Sequence, residues 1–135
     1  MTKYLTANQV IAFHDMLLKQ FGGLAGIRDL NLLHSALEVP KTSFGGKEMY
    51  PSIHEKAAAY LYHLAKNHPF NDGNKRTAYV TALSFLEANK AQIKFKIADL
   101  ELVVVSVANG SLEKDKLIKF FKTGTLPKKQ SIIHS

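Results

Sequence analysis

The sequence predicts a helical bundle carrying one irregular, polar insert. Three observations lead there. Capping signals precede runs of apolar residues at helical spacing; "TAYVTALSFL" at 77–86 is apolar nearly all the way round; and "HPFNDGNKRTA" at 68–78 sets polar side chains and a glycine between two such segments.

Thr6 and Gln9 have capping-box spacing, and Val10, Phe13, His14, Leu17 and Phe21 recur at helical intervals up to Gly22 and Gly23, predicting a first helix over 7–20. Asp29 is placed to cap a short helix with Leu30, Leu33, Ala36 and Leu37, which must end before Pro40. Residues 41–50 show no period and contain a Gly-Gly pair, so they predict a loop or a small hairpin flap. Ser52 and Glu55 form a second capping box, and Ile53, Ala57, Leu61, Leu64 and Ala65 share one stripe of a helix that stops before His68 and Pro69. The next helix starts near Asn74 and runs to about 88; its all-round apolar character marks it as the central one.

The stretch 98–109 is two-sided. "LVVVSV" at 102–107 has strand propensity, whereas the length, Asp99 as a cap and Gly110 as a stop suit a helix. Pattern alone leaves the two even. Ser111 is placed to cap a last helix carrying Leu112, Leu117, Ile118, Phe120 and Phe121 and ending by Gly124. No internal repeat appears, so a single domain is expected over 1–125, with a tail over 126–135.

Length and composition agree with one globular domain: 135 residues, 46% hydrophobic, with no apolar run long enough to span a membrane. Cysteine is absent, which excludes disulfides, thiolate nucleophiles and zinc-thiolate sites and suits a reducing cytoplasm. Residues 1–6 contain no apolar signal region, so a cytoplasmic location is expected. The formal charge is +7. Lysines 114, 116, 119, 122, 128 and 129 against Glu113 and Asp115 put +4 of it in the last 24 residues, which reads as a solvated basic face. Direct nucleic-acid binding is therefore not expected.

The polar insert is where chemistry concentrates. The N–H groups of 73–76 point out of a helix start and favour an anion, and there they coincide with Lys75 and Arg76. Cations at a helix N-terminus oppose the dipole unless an anion is bound nearby, and a phosphate meets that need. Gly73 permits close backbone approach or positive φ, and Asn74 can act as a helix cap. Asp72 is the one carboxylate of the cluster, suited to magnesium held jointly with ATP phosphates. His68, four residues earlier, suits a general base for a hydroxyl attacking a phosphoryl group. Taken singly, each residue has an ordinary structural explanation; their joint arrangement points to a site. "GNKRT" is not a Walker loop, and His54-Glu55 lacks the second histidine of a zinc helix. His14, His34 and His63 are expected to serve packing or surface roles.

The motif resembles the signature of the Fic/Doc superfamily, His-x-Phe-x-Asp/Glu-Gly-Asn-Gly/Lys-Arg, with His68, Phe70, Asp72, Gly73, Asn74, Lys75 and Arg76 in the matching positions. "HDMLLKQFGGLAGIRDLNLLHSAL", "FGGKEMYPSIHEKAAAYLYHLAKNHPF" and "ALSFLEANK" are similar to the death-on-curing branch, so the likeness covers most of residues 4–125.

This resemblance implies an all-α fold in which the motif joins two central helices, and it settles 102–107 as helix. It implies ATP-dependent transfer to a protein hydroxyl, with His68 as general base, Asp72 as magnesium ligand and Gly73, Asn74, Lys75 and Arg76 as the phosphate cradle. Phe70 anchors the motif in the core. The flap, with Phe44, Gly45, Gly46 and Lys47, aligns the target peptide as an added strand. Typical Fic enzymes transfer AMP and have glycine where Lys75 stands, with a second arginine where this chain has Tyr79. Doc-type toxins have the lysine, lack that arginine and transfer the γ-phosphate to a threonine of elongation factor Tu. Lys75 and Tyr79 thus favour a kinase, while Gly73 is compatible with both. The inhibitory Ser/Thr-x-x-x-Glu-Gly/Asn segment of many Fic chains has no match here, so a separate antitoxin is the expected regulator. The alternatives are an AMP transferase, and a non-catalytic helical module that binds an antitoxin or DNA.

Overall fold

Both capping boxes legible in the sequence close at helix starts. Gln9 N donates to Thr6 Oγ1 at 3.2 Å and Thr6 N to Gln9 Oε1 at 2.8 Å; Ser52 and Glu55 make the same reciprocal pair. The computed structural model describes residues 1–127, so residues 128–135 of the expected tail lie outside the described residues. Six helices are present among the described residues: α1 (Ala7–Phe21), α2 (Leu30–Glu38), α3 (Ile53–Asn67), α4 (Asn74–Ala88), α5 (Ile97–Ala108) and α6 (Lys114–Thr123). Asp29 caps α2 by accepting from Leu32 N at 3.1 Å, and Pro40 sits in the single 3-10 turn that ends it. The all-α expectation holds.

The irregular 41–50 segment is a minimal antiparallel hairpin, β1 (Ser43–Phe44) and β2 (Lys47–Glu48), paired Ser43 with Glu48 and Phe44 with Lys47. Gly45 and Gly46 have φ of 58° and 81°. Two successive positive angles make the turn whose twist matches a two-residue hairpin, and glycine adopts them without strain.

The most enclosed helix is α3, which packs against α2, α4, α5 and α6. The sequence singled out α4 instead, and the difference has a steric cause. Ala57, Ala58 and Ala59 are fully buried; their small side chains let neighbouring helices approach closely although alanine contributes little to hydropathy. On α4, Thr77, Ala78, Thr81, Ala82, Phe85 and Leu86 are buried, but Tyr79, Val80 and Leu83 are only partly covered. Phe95, Phe120 and Phe121 form a stacked and edge-on cluster at the α6 end of the core.

Residues 102–107 are helical. Leu100, Val103, Val104 and Val107 are buried at i, i+3, i+4 and i+7, and that period outweighs the β-propensity of the individual valines. Two expected caps are displaced. Asp99 lies inside the first turn of α5, whose N-cap is Lys96, and α6 is preceded by Glu113 rather than Ser111. Ser111 instead donates its hydroxyl to Ser106 O and Asn109 Oδ1, closing the turn between α5 and α6.

His63 on α3 has a buried Nε2 with no hydrogen-bond partner. Burial, aided by the Lys114 cation, lowers its pKa from 6.5 to about 4. Folding thus favours the neutral ring. The associated stability is fully present above the unfolded pKa of 6.5 and is lost as pH falls toward about 4, below which no further loss follows. Urea unfolding across this window should show a loss on the order of 2 kcal/mol, and His63→Leu should remove that component while leaving the carboxylate-linked slope.

Candidate functional site

The segment between α3 and α4, residues 68–73, lies against the loop between α1 and α2, residues 22–29. Proline at 69 ends α3, and His68 closes it in the left-handed region at φ 49° and ψ 57°, a backbone state that costs a non-glycine residue free energy. Arg28 holds that turn. Its Nε donates to His68 O at 2.7 Å and its Nη2 to Asn67 O at 2.8 Å, while the Arg28 and Asp29 amides both donate to Pro69 O. Ile27 pairs with Phe70, and Asn71 N donates to Gly26 O.

Phe70 points inward, 1% exposed, and stacks on the His14 ring with centroids 3.9 Å apart and planes 9° from parallel. Its peptide group is gripped by one side chain: Asn74 Oδ1 accepts from Phe70 N at 2.9 Å, and Asn74 Nδ2 donates to Phe70 O at 3.0 Å. Asn74 is therefore not the helix cap that the sequence suggested. The N-cap is Gly73, at φ 77°, and no side chain caps α4.

Asp72 is exposed, and its two carboxylate oxygens accept backbone N–H bonds, Oδ2 from Leu24 at 3.2 Å and Oδ1 from Gly73 at 2.9 Å. These bonds, Leu24's first, hold the carboxyl below the usual carboxylate range, with a smaller contribution from Arg76. The Asp72 carbonyl, which can only accept, takes a bond from His14 Nε2–H at 2.8 Å. A side chain at Gly23 would put its Cβ 2.9 Å from Asp72 Oδ2, so this glycine is required for the carboxylate to sit where it does. Gly73 N–H being occupied, the open donors at the start of α4 begin at Asn74, one residue later than the sequence indicated.

Lys75 and Arg76 are exposed in that first turn, and among the described residues neither forms a salt bridge. Arg76 lies over the Phe21 ring at 4.3 Å. Two like charges at the positive end of a helix, neither in a salt bridge among the described residues, make an anion-favouring corner.

His68, Asn71, Asp72, Gly73, Asn74, Lys75 and Arg76 together line a cavity of about 610 Å³, which is also lined by Val105 and Ala108 of α5 and by Asn109 just after it. The structure thus brings together six of the residues singled out in the motif. Phe70 lies beneath them, and the hairpin residues Phe44, Gly45, Gly46 and Lys47 do not line the cavity.

With this geometry, the relatives can be compared. The profile of the Fic/DOC family matches residues 4–86. The chain belongs to the Fic/DOC family. It is 36% identical over 119 residues to "Toxin Doc" of Mycolicibacterium smegmatis, covering 87% of this chain and 89% of that protein. It is 32% identical over 110 residues to "Protein kinase doc" of Escherichia phage P1, covering 82% and 86% respectively.

Several supporting residues escaped sequence reasoning. His14 reads as one member of an apolar stripe, yet it both stacks on Phe70 and bonds the Asp72 carbonyl; its signal was a polar residue on an otherwise buried face. Arg28 and Leu24 act through long-range backbone contacts and left no local signal. The α5 wall was hidden by the strand-like composition of 102–107.

Asn74→Ala removes both bonds to the Phe70 peptide and should lower stability by about 1–3 kcal/mol in denaturant titration. Asn74→Asp, which keeps the acceptor, should recover part of that loss.

Proposed function

We propose that this chain is a Doc-type toxin that transfers the γ-phosphoryl group of ATP to a serine or threonine hydroxyl of a protein, with elongation factor Tu the expected target and translation arrest the outcome. The observation that carries this reading is a single cavity holding the exposed His68, a carboxylate kept ionised, and an uncapped cationic helix start. Its volume of about 610 Å³ is in the range of small-molecule sites. The relatives' names, a toxin and a protein kinase, support the same choice.

Each residue has a definable task. His68 takes the proton from the target hydroxyl as its oxygen attacks the γ-phosphorus; the bond to the bridging oxygen breaks and ADP leaves. Asn74, Lys75 and Arg76 bind phosphate oxygens through backbone N–H groups and side-chain cations and so stabilise developing negative charge. Among the described residues no cluster of three or more potential metal ligands exists, so a cation here relies on one carboxylate, Asp72, and on nucleotide oxygens, a donor set that suits magnesium. When bound, magnesium supplies charge neutralisation between phosphates. Arg28, by gripping the His68 carbonyl, fixes the base relative to that cradle.

Lys75 and Tyr79 favour γ- over α-phosphoryl transfer on the strength of the family resemblance, and Gly73 keeps AMP transfer as the second reading. A cognate antitoxin acting in trans is the expected regulator. A groove of about 510 Å³ shares Lys75, Arg76 and Val105 with the cavity and is otherwise walled by Leu17, Phe21, Tyr79, Val80, Glu101 and Val104; it is the neighbouring surface on which such a regulator would dock. No helix among the described residues is long and apolar enough to cross a membrane, and a cytoplasmic site of action is proposed.

Purified protein incubated with ATP labelled at the γ or the α position, with elongation factor Tu added, should deposit γ-label on protein; α-label on protein would replace the kinase reading with AMP transfer. His68→Ala should cut transfer by about 10²-fold or more and abolish growth arrest. Arrest persisting in that variant would favour a non-catalytic binding module. Asp72→Ala should weaken magnesium-dependent ATP binding roughly tenfold in calorimetry, and unchanged affinity would remove Asp72 from the metal role.

A further inference from the structure

The hairpin at 43–48 has no core of its own. Ser43, Phe44, Lys47 and Glu48 are all exposed, Phe44 at 84%, and a Cβ added at Gly45 or Gly46 would meet nothing within 4 Å. Two strands of two residues cannot sustain themselves in water. Something outside the ribbon must hold it.

That role falls to Lys56, the fourth residue of α3 and one of the most enclosed side chains of the molecule at 1% exposed. Its Nζ donates to Glu48 Oε1 on β2 at 2.8 Å and also to the Tyr50 carbonyl just past the strand. Tyr50 is itself buried, and its hydroxyl accepts from Lys114 Nζ of α6 at 2.8 Å. A lysine is rarely buried to this degree unless paired, and an apolar side chain of like volume would usually give equal or greater stability. Bulk stability therefore does not account for a charge at this position. Geometry does: both groups it grips belong to the hairpin and its exit.

We propose that Lys56 is a positioning residue for the protein substrate. By holding Glu48 and the Tyr50 carbonyl it sets the height and register of the hairpin against α3 and so presents the hairpin's unpaired edge to an extended segment of the target. The inference rests on the reading of 43–48 as the target-docking flap. Lys56 and His68 stand on the same helix and at its end, twelve residues or about 18 Å apart along the axis. A rigid helix thus connects the docking edge to the base, and loss of the grip would loosen the target while leaving the nucleotide site intact.

The test uses the full chain, purified elongation factor Tu and γ-labelled ATP. Lys56→Met should raise the KM for the protein target about tenfold, with kcat at saturating target within about twofold and ATP affinity unchanged. Amide hydrogen exchange over 42–50 should accelerate about tenfold while α3 and α4 keep their protection. A fall in kcat with KM unchanged, a parallel loss of ATP affinity, or unaltered exchange in the hairpin would each overturn the proposal. Should Lys56→Met not fold, Glu48→Gln, an exposed change, decides the question: a KM raised about threefold at constant kcat supports it, and an unchanged KM overturns it. Failure of the wild-type chain to label any protein would defeat the phosphotransfer reading and the docking role with it. The exchange measurement, which needs no activity, separates that failure from a failed anchor.

Discussion

The burial of Phe70 is the constraint on which the rest of the site depends. Its ring is sealed against His14, its peptide N–H and C=O are both taken by Asn74, and its neighbours on either side are pinned to the 22–28 loop. Residue 70 is buried while His68 and Asp72, two positions to either side, are exposed and line the cavity; the left-handed backbone at His68 and Gly73 breaks the alternation that would otherwise put all three on one face. His14 strengthens the arrangement by supporting the ring with its face and the Asp72 carbonyl with its Nε2–H.

Electrostatics then follow from backbone geometry rather than from paired side chains. Asp72 is kept ionised chiefly by two peptide N–H groups, and the cations of the first α4 turn form no salt bridge among the described residues. A carboxylate whose oxygens are already oriented and a helix start whose donors are open need little reorganisation when a polyanion arrives. The left-handed His68 fits the same pattern, strain held in place by Arg28 at the point where a side chain must project.

Much of this was legible in the sequence because it is encoded locally. Capping boxes at Thr6 and Ser52, the Gly-Gly turn of the hairpin, the proline that ends α3 and the motif residues all announce themselves within a few positions. What stayed hidden depends on distance or on packing shape. The bond from Leu24 to Asp72 joins residues 48 apart and that from Arg28 to His68 residues 40 apart, and no spacing rule reaches so far. The rank of α3 over α4 turned on three alanines whose value is their smallness. The helical state of 102–107 turned on which valines face the core, which composition could not separate from a strand until the family resemblance decided it.

The separation of those contacts also bears on how the site comes into being. The α3–α4 pair closes a short connection, so the motif and its Asn74 grip can form early and locally, whereas the 22–28 clamp must close loops of 40 to 48 residues. A chain emerging from synthesis would therefore hold a nascent motif before the Asp72 carboxylate is oriented and the His68 turn is fixed. Because both clamp contacts converge on the loop that lines the cavity, the cavity reaches its final shape only when distant parts of the chain have met, so it is completed last.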